Sequence, residues 1–184
     1  MKKYLFVIVA IALLSCCASP NLTNSLKIKK FEEKGGLRVI VPFKKFPKKY
    51  TCDGANISPP LKLENVSKKA KSIAIVMLDL DAPKGIFVHW VIWNIPANVS
   101  EIPAGIPDKP VIHKPIEAVQ GRNDFGFIGY GGPCPPSGTH RYVIRVYTLN
   151  CYLNLSPGST ANSLYRAMNG HVLQEDEVVV TYSR

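Results

Sequence analysis

Apolar residues in this chain fall into short runs cut by turn-forming residues, a spacing that predicts strands rather than long helices. Residues 72–80 (SIAIVMLDL) make a branched, almost uninterrupted apolar stretch, which reads as a buried strand. Residues 88–95 (VHWVIWNI), closed by Pro96, predict a second strand. Residues 142–149 (YVIRVYTL) and 177–182 (EVVVTY) predict a third and a fourth, and residues 37–43 suit another. Leu164, Met168 and Val172 recur at four-residue spacing behind Ser159 and Thr160. That pattern predicts one capped helix with an apolar face, weakened or ended near Gly170. Residues 102–116 and 121–139 are rich in Pro or Gly and read as long loops. Ordered loops of such length in a compact domain usually carry function. The expected fold is mainly β, a β-sandwich with few short helices and its long loops at one end.

The first residues break this pattern. Lys2 and Lys3 precede a continuous apolar run over residues 5–14. The run is too short to span a bilayer, which takes roughly 20 residues. A charged start, a short apolar run and then small residues describe a secretory leader. Leu13-Leu14-Ser15-Cys16 resembles the bacterial lipobox, in which the cysteine is lipidated and becomes the new first residue. Cleavage near Ala18-Ser19 is the competing reading, and the small-residue–Cys pair closing the apolar run favours the lipoprotein. The expected organisation is a signal peptide over 1–15, a lipidated Cys16 with a polar tether over 16–36, and one folded domain over 37–184. Such a protein belongs to the cell envelope, lipid-anchored to a bacterial membrane, and the sequons at Asn21, Asn65 and Asn98 carry no meaning there.

Composition adds less. The formal charge is +10, and loss of Lys2 and Lys3 with a leader leaves +8. A basic chain approaches acidic lipids or other polyanions, but the charge serves solubility equally well and says nothing of a site. Lys44, Lys45, Lys48 and Lys49 alternate with Phe46 and Tyr50 around Pro47. This reads as a solvated sheet edge in preference to a membrane-facing patch. No Cys-x-x-Cys pair occurs, so zinc ribbons and thioredoxin chemistry are not expected. Cys52 and Cys134 both lie in Gly/Pro-rich loops, where a bridge and buried free thiols are both open. There is no Gly-x-Ser-x-Gly elbow, no His-Glu-x-x-His and no Walker loop, so the expected protein is not an enzyme and takes no cofactor, metal or nucleic acid.

Three segments carry the candidate chemistry. Asp79-Leu80-Asp81-Ala82-Pro83 ends the first strong strand, and alternation places Asp79 and Asp81 on one face. Two carboxylates there repel, which favours a nearby cation or a shared proton. His89 opens the next strand. Gly131-Gly132-Pro133-Cys134-Pro135-Pro136-Ser137-Gly138-Thr139-His140-Arg141-Tyr142 is a rigid loop feeding a strand. Brought together, two imidazoles, the Tyr142 hydroxyl and the N–H groups of the Gly131-Gly132 turn would hold a small anion, with the carboxylates orienting the histidines. Arg141 would face away from His140 and Tyr142. His113 and His171 show no partners and read as solvated or capping residues.

These segments, with Thr51-Cys52-Asp53-Gly54-Ala55-Asn56-Ile57-Ser58-Pro59-Pro60, HWVIWNIP and Asn123-Asp124-Phe125-Gly126, resemble the phosphatidylethanolamine-binding protein family, especially its bacterial, Raf-kinase-inhibitor-like branch. The resemblance covers residues 37–184 and implies a Greek-key β-sandwich with a pocket at one end for phosphate, acetate or a phosphoethanolamine headgroup. It assigns ligand binding to Asp79, Asp81, His89, Pro133, His140 and Tyr142, with Gly132 beside them. It also implies a cis Ala82-Pro83 bond and allows a homodimer. Departures are Leu80 between the two Asp residues, Val88 before the His, and no C-terminal helix beyond Arg184, so kinase regulation does not carry over. Docking as an inhibitor or regulator of a protease or kinase is the second functional reading, and a hydrolase using His, Asp and Tyr as acid and base ranks behind it. In cells fed labelled palmitate, the wild-type chain is expected to take up label and Cys16→Ala to take up none. Equal labelling of both would remove the lipoprotein reading.

Overall fold

The structure is a computed structural model that describes residues 36–184. Cys16, Cys17, the leader and most of the tether lie outside the described residues. Among the described residues nine strands form two antiparallel sheets, with one α-helix. The strands are β1 (Arg38–Ile40), β2 (Leu61–Glu64), β3 (Ser72–Asp79), β4 (Phe87–Pro96), β5 (Glu101–Ile102), β6 (Val111–Ile112), β7 (Ala118–Gln120), β8 (Thr139–Leu149) and β9 (Val172–Ser183), and α1 is Ala161–Met168. The small sheet runs β1-β2-β5 and the large one β6-β7-β4-β3-β8-β9.

The large sheet is covered on both faces, which explains why β3 shows no polar alternation. Ile73, Ile75 and Met77 pack with Leu37, Leu61 and Ile102 of the small-sheet side. Ala74, Val76 and Leu78 face the other way, into a second core with Leu164 and Met168 of α1. All eight residues of β3 are buried, as expected of a strand with apolar cover on both sides.

The helix begins as the sequence predicts. Thr160 Oγ1 accepts the Ser163 N–H at 3.3 Å, an N-cap. It ends at Met168, near Gly170 as expected, because Gly170 adopts φ +78° and the His171 N–H bonds back to the Met168 carbonyl at 2.9 Å. Val172 therefore opens β9, five residues before the predicted start of that strand. The third predicted strand also lengthens at its start, to Thr139, because His140 pairs with Tyr182 of β9. The four lysines are exposed, whereas Phe46 and Tyr50 are buried. Residues 44–46 bond along the outer edge of β9 through Phe46 N–H to Thr181 O at 2.8 Å and Thr181 N–H to Lys44 O at 3.0 Å. The segment thus caps a sheet edge. Leu164 is fully buried at the centre of the helix–sheet core. Leu164→Ala is expected to cost about 2–4 kcal/mol in urea unfolding. A loss near zero would show that α1 is not a structural cover of the sheet.

Candidate functional site

Each candidate residue lies at the same end of the large sheet. Asp79 is the last residue of β3 and pairs with Phe87 of β4 and Tyr142 of β8. His140 is the second residue of β8 and faces the same side as Tyr142. The placement of His89 depends on an irregularity. Met77 pairs with Trp90 but Leu78 pairs with Val88, so His89 is an extra residue in β4. A β-bulge of this kind re-aims a side chain at a sheet end.

The bulged His89 is pinned from both sides. The Gly131 N–H donates to the His89 carbonyl at 2.9 Å, and His89 Nδ1–H donates to the Gly131 carbonyl at 2.6 Å. His89 is 2% exposed. Burial pushes its imidazole below the ordinary range, against the opposing pull of the Gly131 carbonyl and the Asp79 charge. His140 Nδ1–H donates to Asp79 Oδ2 at 2.7 Å, with both side chains nearly closed to solvent. The Tyr142 ring lies between the two histidines, 5.2 Å from His89 and 6.4 Å from His140 by ring centroids. Its hydroxyl is buried and has no hydrogen-bond partner among the described residues. Asp79 and the Cys134 backbone are near it without reaching hydrogen-bond geometry, and burial pushes the phenol far up.

The Gly/Pro loop supplies one wall. A Cβ on Gly131 would meet the Phe125 ring at 2.5 Å, and one on Gly132 would meet Tyr50 O and Asn56 Oδ1 at 2.5 Å. Both glycines are therefore required by close approach. Asn56 Oδ1 accepts the Gly132 N–H at 2.8 Å, and the Pro133 carbonyl accepts the Cys52 N–H at 3.1 Å. A Cys52–Cys134 disulfide joins the two loops across 82 residues of sequence, which decides the open cysteine question. The Asn123-Asp124-Phe125-Gly126 turn is fastened to β4 through Val88, by Asp124 N–H to Val88 O at 2.9 Å and Val88 N–H to Asp124 Oδ2 at 2.7 Å. That seats Phe125 5.2 Å from His89 and 4.7 Å from Phe87. Phe125, Phe127 and Ile86 are 44%, 42% and 43% exposed and give the site an apolar rim.

Two expectations need correction. Asp81 does not share a face with Asp79, because β3 stops at Asp79 and strand alternation stops with it. The Asp81 N–H instead donates to Asp79 Oδ1 at 2.8 Å, and the Asp81 carboxylate takes the Arg141 backbone N–H, Nε and Nη2 at 2.7–2.9 Å. The Ala82-Pro83 bond is trans. The cis bond among the described residues is Lys114-Pro115. Arg141 faces away from His140 and Tyr142 as expected, and its service to Asp81 was not foreseen. Nor were Asn56, Phe87 and Phe125 as site residues; the TCDGAN and NDFG motifs were the available signal. His171 bonds Asn150 Oδ1 through Nδ1 at 2.9 Å, and His113 is exposed. A separate apolar cavity of about 530 Å³ beside the small sheet, lined by Ile40, Pro60 and Ile102 among others, shares no residue with the site.

A family profile described as phosphatidylethanolamine-binding protein matches residues 38–183. The chain belongs to that family. The UPF0098 protein of Pyrococcus abyssi is 53% identical over 140 residues, 75% of this chain and 78% of the relative. Among solved structures, a phosphatidylethanolamine-binding protein homolog from Chlamydia trachomatis is 35% identical, with a TM-score of 0.75 over 82% of this chain and 99% of that one. Escherichia coli YbcL, titled a new member of the mammalian family, is 30% identical, with a TM-score of 0.73 over 80% and 98%. The relatives thus include archaeal as well as bacterial members of the phosphatidylethanolamine-binding family, and both solved structures share its two-sheet fold.

The hydrogen bonds from Arg141 hold the Asp81 carboxyl down at about 2. A depressed carboxylate adds stability above its ordinary range and loses it as pH falls through the depressed value. In Arg141→Gln the Asp81 titration, followed by carboxyl NMR, is expected to move from about 2 toward the ordinary 3.8. An unmoved titration would mean that the backbone N–H alone holds it.

Proposed function

We propose that this member of the phosphatidylethanolamine-binding family is an envelope lipoprotein, held at Cys16, whose domain binds small anionic groups in the His89–His140–Tyr142 site. The groups are phosphate, carboxylate or a phosphoethanolamine headgroup. Family membership supports a binding or regulatory role. The observation that carries the ligand class is the Tyr142 hydroxyl. It is a buried donor without a partner among the described residues, carried on a ring that lies between two imidazoles. Buried polar groups are ordinarily satisfied, so an orphan at the end of a sheet points to a ligand. His140 is held beside it by Asp79, through Nδ1–H to Oδ2 at 2.7 Å. Gly132 and Pro133 shape the wall, and Asp81 supports Arg141 and the base of Asp79 instead of meeting the ligand directly.

Docking on a protease or kinase is the second reading, favoured by the exposed Phe125, Phe127 and Ile86.

Calorimetric titration of the detergent-solubilised protein with inorganic phosphate and phosphoethanolamine tests the first reading, beside Tyr142→Phe. Removing an unpartnered hydroxyl is expected to leave thermal unfolding unchanged or slightly higher and to weaken the anion about fivefold or more. Unchanged affinity in that variant would detach the hydroxyl from ligand binding, and no binding by the folded wild type would transfer the weight to protein docking.

A further inference from the structure

The Cys52–Cys134 disulfide crosses between the 51–56 loop and the Gly/Pro loop that walls the site. Three hydrogen bonds run beside it. Gly132 N–H donates to Asn56 Oδ1 at 2.8 Å, Cys52 N–H to the Pro133 carbonyl at 3.1 Å, and the Tyr130 hydroxyl to the Tyr50 carbonyl at 2.7 Å. The same loop also holds His89, whose Nδ1–H donates to the Gly131 carbonyl and whose carbonyl accepts the Gly131 N–H. Gly131 and Cys134 are three residues apart, so the bridge and the pinned imidazole share one short stretch of backbone.

The two sulfurs are placed differently. Cys52 is exposed, whereas Cys134 is half-buried. Arg184 Nη1 lies 3.6 Å from Cys134 Sγ. That guanidinium is held in place. Its Nη2 pairs with Asp53 Oδ1 at 3.0 Å, Asp53 Oδ2 accepts the Tyr182 hydroxyl at 2.7 Å, and the Arg184 backbone exchanges hydrogen bonds with Gly138 at 3.1 and 3.2 Å. A cation beside a sulfur stabilises its thiolate, and the sulfur with the more stable thiolate leaves faster in exchange. Exposed disulfides are the ones open to reduction. The free cysteine among the described residues, Cys151, lies past the other end of β8, about 35 Å of strand away. An attacking thiol therefore comes from another molecule.

We infer that Cys52–Cys134 is an exchange site for a dithiol reductant, entered at Cys52 with Cys134 leaving beside Arg184, and that reduction loosens the wall and weakens anion binding. One thiolate of the reductant bonds to Cys52 Sγ, and the S–S bond breaks with its electron pair on Cys134 Sγ. The second thiolate of the reductant then attacks the reductant sulfur bonded to Cys52 and releases the Cys52 thiolate. The reductant leaves as a disulfide, two electrons have passed to the protein, and both thiolates take protons from solvent. The loops are then joined by the three hydrogen bonds alone, each of small net worth in water. The exchange stands by itself; its effect on affinity rests on the anion-binding reading above.

The test uses the detergent-solubilised full chain. A monothiol, glutathione, stops the reaction at the mixed disulfide, and alkylation followed by mass spectrometry locates it. Glutathione on Cys52 with Cys134 alkylated is expected; the reverse overturns the inference. Reduction by dithiothreitol is expected to slow about threefold or more in Arg184→Gln and to recover in Arg184→Lys, which keeps the cation. An unchanged rate in Arg184→Gln overturns the part given to the guanidinium. Phosphate is then titrated into oxidised and reduced wild type, beside the Cys52→Ser/Cys134→Ser double variant without reductant. Affinity is expected to fall about fivefold or more in both bridge-free forms. Equal affinity in oxidised and reduced wild type overturns the switch, whether or not the double variant folds. Binding by neither form removes the anion site, and amide hydrogen exchange at Gly131 and Gly132 then decides the rest: faster exchange on reduction supports the loosened wall, and unchanged exchange overturns it.

Discussion

A nearly buried carboxylate at the end of a strand dominates this structure. Asp79 is 5% exposed at its side chain. An ionised group so placed is unfavourable unless hydrogen bonds and an opposite or polarisable partner replace its lost hydration. Two neighbours do so. The chain turns back at Leu80 so that the Asp81 N–H reaches Oδ1, and β8 runs in register so that His140 Nδ1–H reaches Oδ2. Neither would hold if β3 and β8 slipped by one residue, because every side chain would then change face. The two apolar cores that bury β3 and β8 on both sides keep that register. Packing far from the site thus fixes which atoms the site presents.

The strands that the sequence made legible are those with the most apolar cover. β3 and β4 stand close to where their runs predicted, because burial on both faces removes polar interruptions. Val172 shows the limit of the method. Its spacing from Met168 satisfies a helix, and its branched side chain satisfies a strand equally well. The backbone at Gly170 decided between them. The same limit applies to the site. The order of several motifs along the chain was enough to bring His89, His140, Asp79 and Tyr142 together. The bulge at His89 was not legible, since a bulge is a relation between two strands and has no signature in either. Asp81 was misplaced for a related reason, because alternation was carried one turn past the end of the strand. Its capture by Arg141 depends on a backbone N–H that sequence cannot orient.

The two histidines are held by partners of different kinds at one sheet end. The difference lies entirely in what stands behind Nδ1, a carbonyl for one and a carboxylate for the other. The character of the site is thus set from behind its lining, by groups that hold a proton in place.

The Gly131-Gly132 wall has a consequence for redesign. At Gly132 the wall leaves no room for a side chain, because a Cβ would meet the Tyr50 carbonyl and Asn56 Oδ1, whereas at Gly131 the neighbour is the exposed Phe125 ring. Mutational libraries aimed at Gly132 would mostly sample misfolded chains. The opposite lip is different. Around Gly85 the space is open, and Ile86 faces solvent beside Phe87. A Cβ at Gly85 would meet no atom within 4 Å, although the φ of +100° there favours glycine. Diversification of ligand preference within this architecture, by selection or by design, has room on that one side.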